Sequence, residues 1–247
     1  MIRRSFVIGA ASLMLAGCGK DLLGPPEAGP IYAVRPVFPP TAPVPDSAPN
    51  SAKVSWSLSL MRPNVPGGLA SDRIALVQPG GVLDFYAKAT YPDTTSTMIQ
   101  QALLDGFEAS GRIGAVSREQ DALQSDYLLV VEVKNFEAQY AVADGIPQVV
   151  VAMTAKLTTA RGRKIVGSFT TPQTGTAAVN STPAVVQALT AALGAAVKQV
   201  VDWTLTAPPP ASQIAPSAQQ QGWPQGSPAK PAEQVLKDIR RGSDSLR

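Results

Sequence analysis

The longest regular pattern in this sequence lies in its last third, where apolar side chains recur every three or four residues. This spacing places them on one stripe of a helix, and the stripe consists of Val185, Val186, Leu189, Leu193, Ala196, Val197, Val200 and Val201. Thr182 suits the N-cap, Pro183 suits the first helical position, and the pattern ends at Trp203. Because glutamine and lysine side chains interrupt the apolar run, the pattern predicts a core helix rather than a membrane span.

A second, shorter helical pattern covers residues 94–110. Its apolar stripe has the same spacing, and it comprises Ile99, Ala102, Leu103, Gly106 and Phe107. Asp93 precedes the pattern as a predicted N-cap, and Gly111 follows it as a predicted C-terminal stop. The sequence therefore predicts two amphipathic helices, each with one face for a core.

Before and between these helices, β-branched residues and alternating patterns predict strands. The predicted strands cover residues 54–60, 73–78, 82–87, 112–116, 127–140, 148–158 and 164–170, and residues 31–36 are short and β-prone. Turn residues at 79–81, 144–145 and 161–163 separate consecutive strands, so the last three strands form an antiparallel meander. Ser117 and Gln120 have capping-box spacing, which predicts a single helical turn.

These elements predict one α/β domain of the α+β kind over residues 31–206. Its sheet is mixed and mostly antiparallel, and its two helices lie on one face. A tether rich in glycine and proline precedes the domain at residues 18–30. Residues 207–247, rich in proline, glutamine and serine, predict a disordered tail, in which residues 232–241 form at most a short, weak helix.

The start of the chain carries the signature of an exported and lipidated protein. Two arginines precede an uncharged run of about 13 residues, which is too short to cross a hydrocarbon core that needs roughly 20. Residues 1–17 therefore predict a signal peptide that is cleaved between Gly17 and Cys18. Leu-Ala-Gly-Cys at residues 15–18 resembles the lipobox of bacterial lipoproteins, which implies a diacylglyceryl group with palmitate-type chains on Cys18.

Composition excludes several kinds of site. The chain has no histidine and one cysteine. With Cys18 lipidated, we expect no Ser-His-Asp or Cys-His catalysis, no Cys/His zinc site and no disulfide. Removal of the leader takes two arginines with it and lowers the formal net charge of +3 by two, which leaves no basic footprint for nucleic acid. The sequence has no glycine-rich phosphate loop, so neither a cofactor nor a metal is expected.

Several features also come in an order that is typical of one family. After the lipobox they are Tyr32-x-Val34-x-Pro36, Tyr91-Pro92, Leu103-Leu104, the strand from Tyr127 to Phe136, and a terminal helix ending Val201-Asp202-Trp203. By this order and spacing, residues 15–205 resemble the ABC-type transport auxiliary lipoprotein family, the lipoprotein component of paraquat-inducible-type MCE transport systems. This chain has alanine and threonine at residues 89–90, where the family pattern has tryptophan and alanine.

The resemblance implies a small α/β domain similar to the amino-terminal domain of TolB, with no enzymatic activity and no cofactor. It also implies a lipid anchor on the periplasmic face of the outer membrane, with MCE-domain and ABC transporter subunits as partners in phospholipid traffic. The sequence leaves open whether the protein forms a homo-oligomer. It also leaves open a second class of function, that of a stand-alone envelope lipoprotein that regulates a cell-envelope enzyme or binds a small amphiphile.

Arg161, Arg163 and Lys164 form the candidate partner-binding site, in a predicted hairpin turn. They suit an acidic partner or lipid headgroups, whereas a solvated hairpin tip is the plainer interpretation of the same charges. Four acids near predicted helix ends suit capping rather than acid catalysis, and they are Asp93, Asp105, Asp121 and Asp126. Trp56 and Trp203 are predicted to anchor the core. The sequence therefore offers no catalytic residue.

Overall fold

A computed structural model of the protein describes residues 29–39 and 53–210. The predicted signal peptide, Cys18, all but the end of the tether, and the predicted helix at 232–241 lie outside the described residues. Most of the predicted domain falls within them, so the predicted strands and helices can be compared with the structure.

The sheet is organised around its longest strand, β5 (Tyr127–Gln139), which pairs along one edge with β6 (Gln148–Thr159). β6 pairs in turn with β7 (Ile165–Thr176), and both pairings are antiparallel. The predicted meander is thereby confirmed. β7 continues past the predicted end at residue 170, because its ladder with β6 extends over the whole length of that strand.

The other edge of β5 holds two strands, one after the other. β1 (Leu58–Leu60) pairs in parallel with the first residues of β5, and β2 (Arg73–Gln78) pairs in parallel with its last residues. β3 (Val82–Thr90) is antiparallel to β2, and β4 (Val116–Arg118) is parallel to β1. The described residues thus form a mixed, curled sheet of seven strands. Three of its six pairings are parallel, but each of these joins only two or three residue pairs, whereas the antiparallel ladders are longer. The sheet is therefore mixed and mostly antiparallel by residue pairs, as predicted.

Three further strands differ from the predictions, and one of them is β3, which continues three residues past its predicted end at 87. The alternating run at 54–60 forms a ladder only at β1, because the backbone bends at residues 55–56 and Asp126 then binds Ser57. All of β1 is buried, since strands cover both of its edges. The strand predicted at 112–116 is β4 instead, which begins where the prediction ended.

Two helices cover one face of the sheet, and they contact each other. They are α1 (Thr95–Ser110) and α2 (Thr182–Thr204). Every residue of the two predicted apolar stripes is buried, which confirms both stripes. The stripes share one core with alternate side chains of β5, namely Tyr127, Leu129, Val131 and Val133.

The starts of the helices differ from the predictions by one residue. Thr94 precedes α1, and Asp93 only accepts a hydrogen bond from the Thr94 amide at 2.6 Å. Ser181 caps α2 with a hydroxyl that accepts a hydrogen bond from an amide of the first turn, and Thr182 is already helical. The predicted stop at Gly111 is confirmed, because its φ of 63° is the left-handed conformation that ends helices.

By length and composition, α2 is the one helix in the described residues that could cross a membrane. Its position indicates a different role. The apolar stripe lies against β5, β6 and β7, where its side chains are buried. α2 is therefore the core helix that the polar interruptions predicted.

Candidate functional site

The three candidate contact residues lie together at one tip of the molecule, in the turn between β6 and β7. Arg161, Arg163 and Lys164 are all exposed, and we call them the basic hairpin. Thr159 closes the turn: its amide donates to the Lys164 carbonyl, and its hydroxyl accepts from the Lys164 amide. Gly162 and Arg163 adopt positive φ values of 76° and 47°, which give the turn its sharp reversal.

The basic hairpin has no acidic partner within the salt-bridge distance among the described residues, in contrast to Lys134, Lys156 and Lys198. Lys134 and Lys156 both bind Glu132. The hydrogen bond from Lys134 and the charges of both lysines hold the pKa of Glu132 below its usual value. Lys198 binds Asp202 at 2.6 Å. Three exposed cations at one tip without a counter-charge favour contact with an acidic surface.

A strap, defined as residues 29–39, leads from the tether into the domain. It begins beside β3 with an isolated parallel bridge between Ile31 and Thr90. The rest of the strap pairs with no described strand, so the β-prone prediction at 31–36 holds only at Ile31. The reason is that the strap leaves the sheet and sends Val34, which is 3% exposed, into the core.

A helix glycine lets the strap approach closely. A Cβ at Gly194 of α2 would lie 3.2 Å from Pro36. A cavity of about 270 Å³ lies between the strap and α1, and an open groove of about 620 Å³ lies between the strap and α2. The cavity is smaller than typical ligand sites of roughly 300–1,000 Å³, whereas the groove falls within that range but is the more open of the two.

At the end of the sheet opposite the basic hairpin, hydrogen bonds join β3 to the β5–β6 loop and the β7–α2 loop. Tyr86 on β3 and Tyr140 after β5 share a hydrogen bond of 2.8 Å, and Tyr140 donates to Asn180 before α2. The Asn180 amide donates in turn to the Asp144 carbonyl at 3.1 Å. Burial, and then the hydrogen bond to Tyr140, raise the pKa of Tyr86 well above its usual value, so Tyr86 stays neutral.

No pattern in the sequence predicts this network. Tyr86, Tyr140 and Asn180 are far apart along the chain, and no periodic pattern connects them. They meet only because the end of β2 pairs with the end of β5. The sequence predicted that Trp56 and Trp203 anchor the core. Trp56 is buried edge-on against Tyr127, which confirms its prediction. Trp203 is only half-buried and stacks on β7.

The four candidate acids all have partners within the fold. Asp121 caps a 3₁₀ turn (Glu119–Asp121), slightly later than the helical turn predicted there. Asp105 accepts from a glutamine one turn earlier in α1 at 2.5 Å, and Asp126 binds the residue before β1. Capping is therefore right for Asp121 and wrong for Asp93, Asp105 and Asp126. In the part of the chain that the structure describes, no group of three His, Cys, Asp or Glu side chains is placed to hold a metal ion.

Similar structures and sequences are known. Protein XCC0632 of Xanthomonas campestris, of family DUF330, has a TM-score of 0.62 and 29% identity, over 72% of this chain and 95% of that chain. Another uncharacterized protein shares the fold, with a TM-score of 0.51 and 14% identity over 60% of this chain and 92% of that chain. Protein bll6063 of Bradyrhizobium diazoefficiens is 26% identical over 159 residues, which are 64% of this chain and 42% of that relative.

The match to that curated relative therefore spans less than half of the relative's length. A family model gives the broader assignment. The model of the ABC-type transport auxiliary lipoprotein component matches residues 39–201, a range that holds the whole sheet, α1 and nearly all of α2. The chain belongs to the family of ABC-type transport auxiliary lipoprotein components.

Proposed function

We propose that this protein is a lipid-anchored, non-catalytic adaptor of an ABC/MCE-type transport system that moves phospholipids or related amphiphiles between inner and outer membranes. The observation that carries the proposal is the family match over residues 39–201. The lipobox at residues 15–18 lies outside that match and gives independent support for a lipoprotein. The proposed location is the periplasmic face of the outer membrane.

The proposed anchor is the Cys18 thiol, with cleavage after Gly17. A thiol is the most nucleophilic side chain available for attachment of a diacylglyceryl group, and small residues before it suit a peptidase groove. Each buried methylene contributes about 0.8 kcal/mol to membrane binding, and stable anchoring takes more than one chain. A diacylglyceryl group with a further acyl chain on the new amino terminus therefore gives lasting attachment.

The proposed contact with the transporter is the basic hairpin. Its three cations stand at the tip of the β6–β7 ladder, away from the core, and none is neutralised within the described residues. Such a tip can meet an acidic surface without unfolding any part of the domain. The charges would raise the rate of association and select the partner, and salt would weaken both effects.

Cys18→Ser tests the anchor. We expect the full chain with this substitution to lose fatty-acid labelling and to leave the membrane fraction, because no other thiol is available. Ser12→Ala, within the apolar run, is the control that should keep both labelling and membrane fractionation. If Cys18→Ser changes neither measurement, the proposed anchor is wrong.

Affinity purification of the anchored full chain tests the adaptor role. We expect MCE-domain and ABC subunits to be recovered, and their recovery to fall when Arg161→Gln, Arg163→Gln and Lys164→Gln are combined. A charge-matched control combines Lys134→Gln, Lys156→Gln and Lys198→Gln, three cations that are already paired within the domain. Recovery of cell-envelope enzymes alone would instead support a stand-alone regulatory lipoprotein.

A further inference from the structure

Exposed aliphatic side chains gather at the end of the sheet opposite the basic hairpin. They lie at three connections: in the first two residues of β3, which directly follow the β2–β3 turn, in the β5–β6 loop and in the β7–α2 loop. Their exposed fractions range from 43% to 65%, and we call them the loop end: Val82, Leu83, Val142, Ile146 and Val179. Single exposed aliphatic residues are ordinary on protein surfaces, but a group at one place marks an interaction site.

The strand registers bring the three connections to the same end. Val77 near the end of β2 pairs with Gln139, the last residue of β5. Gln139 pairs with Gln148 at the start of β6, and Gln148 pairs with Thr176 at the end of β7. The hydrogen bonds from Tyr86 through Tyr140 and Asn180 then hold β3 and the two loops together. The aliphatic side chains therefore stand on a fixed backbone.

The charges around the loop end are unlike those of the basic hairpin. Residues 74–87, 135–155 and 165–181 contain no lysine and no arginine, and Asp84 and Asp144 are exposed carboxylates. This surface does not suit anionic lipids or an acidic protein. It suits the headgroup region of a zwitterionic bilayer, where aliphatic side chains insert between the headgroups without help from charge.

The path of the strap directs the anchor toward the same end. Residues 29–31 run parallel to β3, and Gly29 lies so close to Lys88 that a Cβ would collide with the Lys88 carbonyl at 1.6 Å. Followed backward to Gly29, the chain therefore proceeds along β3 toward Val82. Six residue steps separate Lys88 from Val82, and because β3 bulges between Phe85 and Thr90 the distance is at most the roughly 20 Å of a straight strand.

The tether is long enough to cover that distance. Eleven residue steps separate Cys18 from Gly29, and an extended chain of that length spans at most about 36–40 Å. This length alone would reach several parts of the domain. The direction of the chain at Gly29 and the aliphatic surface together select the loop end.

We propose that the loop end inserts into the headgroup region of the bilayer that holds the Cys18 anchor, as a second membrane contact. This inference rests on the anchor in the proposed function. The acyl chains supply attachment, and the loop end fixes the orientation of the domain. The basic hairpin then faces away from the membrane, separated from the loop end by the twelve residues of β6, or roughly 36 Å.

Site-directed labelling tests the inference, because a lipidated Cys18 leaves an introduced cysteine as the only free thiol. Val142→Cys and Val179→Cys each place a fluorescent label at the loop end. Ile165→Cys is the matched control: it is an aliphatic residue of 63% exposure beside the basic hairpin, against 65% for Val142 and 56% for Val179. The lipidated full chain is reconstituted into phosphatidylcholine and phosphatidylethanolamine vesicles that contain lipids with a quencher near the headgroup.

We expect loss of fluorescence at positions 142 and 179, none at 165, and no change in high salt. Equal fluorescence at all three positions, or loss only at 165, would overturn the inference, as would loop-end labels that cross-link two copies without being quenched. Mass spectrometry of the same sample distinguishes failure of the proposed anchor from failure of the proposed orientation. An unmodified Cys18 contradicts the proposed function, whereas a lipidated chain without quenching contradicts only the orientation.

Discussion

At the scale of single residues, the start of α2 shows how structure refines a sequence pattern. Both Ser181 and Thr182 are good capping residues, and the sequence alone favours Thr182 because Pro183 follows it. In the structure the Ser181 hydroxyl accepts the hydrogen bond from the first turn. We expect Ser181→Ala to lower the free energy of unfolding by about 1 kcal/mol, and Thr182→Ala to lower it much less. Denaturant titration of both variants is the measurement, and equal losses would contradict the assigned cap.

Tyr91 gives a prediction about alkaline pH. Its side chain is 3% exposed, and burial raises the pKa of Tyr91 above its ordinary value of 10.0. The folded protein therefore keeps this phenol neutral at a pH where the unfolded chain ionises it. The resulting stabilisation is complete below pH 10.0 and declines as the pH rises above that value. We expect Tyr91→Phe to make the free energy of unfolding fall less steeply above pH 10.0, and an unchanged slope would contradict this account.

Near neutral pH, we expect Tyr91→Phe and Tyr140→Phe to differ in their effect on the free energy of unfolding. The Tyr91 hydroxyl is buried and has no hydrogen-bond partner among the described residues, so its removal should leave stability unchanged or slightly raised. Tyr140→Phe instead removes hydrogen bonds to Tyr86 and Asn180. It should lower the free energy of unfolding by about 1 kcal/mol.

At the scale of elements, the crossing of α1 and α2 depends on Gly106. A Cβ at this position would lie 2.6 Å from a Val197 methyl group on α2, in a core without spare room. We expect Gly106→Val to lower the free energy of unfolding by about 1–3 kcal/mol through overpacking. Gly114→Val is the control, because a Cβ there meets nothing within 4 Å. Chemical denaturation with equal losses in both variants would show that the crossing tolerates the larger side chain.

The elements that the sequence predicted well are those whose evidence is local. The stripe of α2 repeats within a few residues, and β5, β6 and β7 follow one another with short turns. β1 is different: the alternating run at 54–60 indicates a strand, but its ladder is limited to three residues by Val116 and Tyr127, partners that lie far along the chain. The path of the strap was not predicted for a related reason: it depends on the space left by Gly194 of α2, which the strap's own residues do not encode.

The basic hairpin and the loop end also differ in how well the sequence predicts them. The basic hairpin could be located from the sequence, because its cations surround a glycine turn between two obvious strands. The loop end could not, since its five aliphatic residues lie at three connections that meet only through the pairing of β2 with β5. Each of them alone is an ordinary exposed residue.

At the scale of the whole molecule, we expect substitutions at the loop end to affect membrane contact and substitutions in the basic hairpin to affect transporter binding. Val142→Asp with Ile146→Asp should reduce quenching of a label at position 179 by membrane lipids. It should leave the recovery of transporter subunits from detergent unchanged, because the basic hairpin is roughly 36 Å away along β6. Combining Arg161→Gln, Arg163→Gln and Lys164→Gln should instead reduce the recovery of transporter subunits and leave the quenching at position 179 unchanged. Joint loss of both properties in either variant, with circular dichroism unchanged, would contradict the separation.

The strap also has a mechanical consequence. With the proposed lipid on Cys18, a pull on the anchor is transmitted along the axis of the strap, which runs parallel to β3 at residues 29–31. Shear of this kind strains the Thr90 bridge, buried Val34 and the seat of Pro36 on Gly194 together rather than in turn. Tension between two membranes would therefore be borne by the packed helices before any strand is peeled from the sheet.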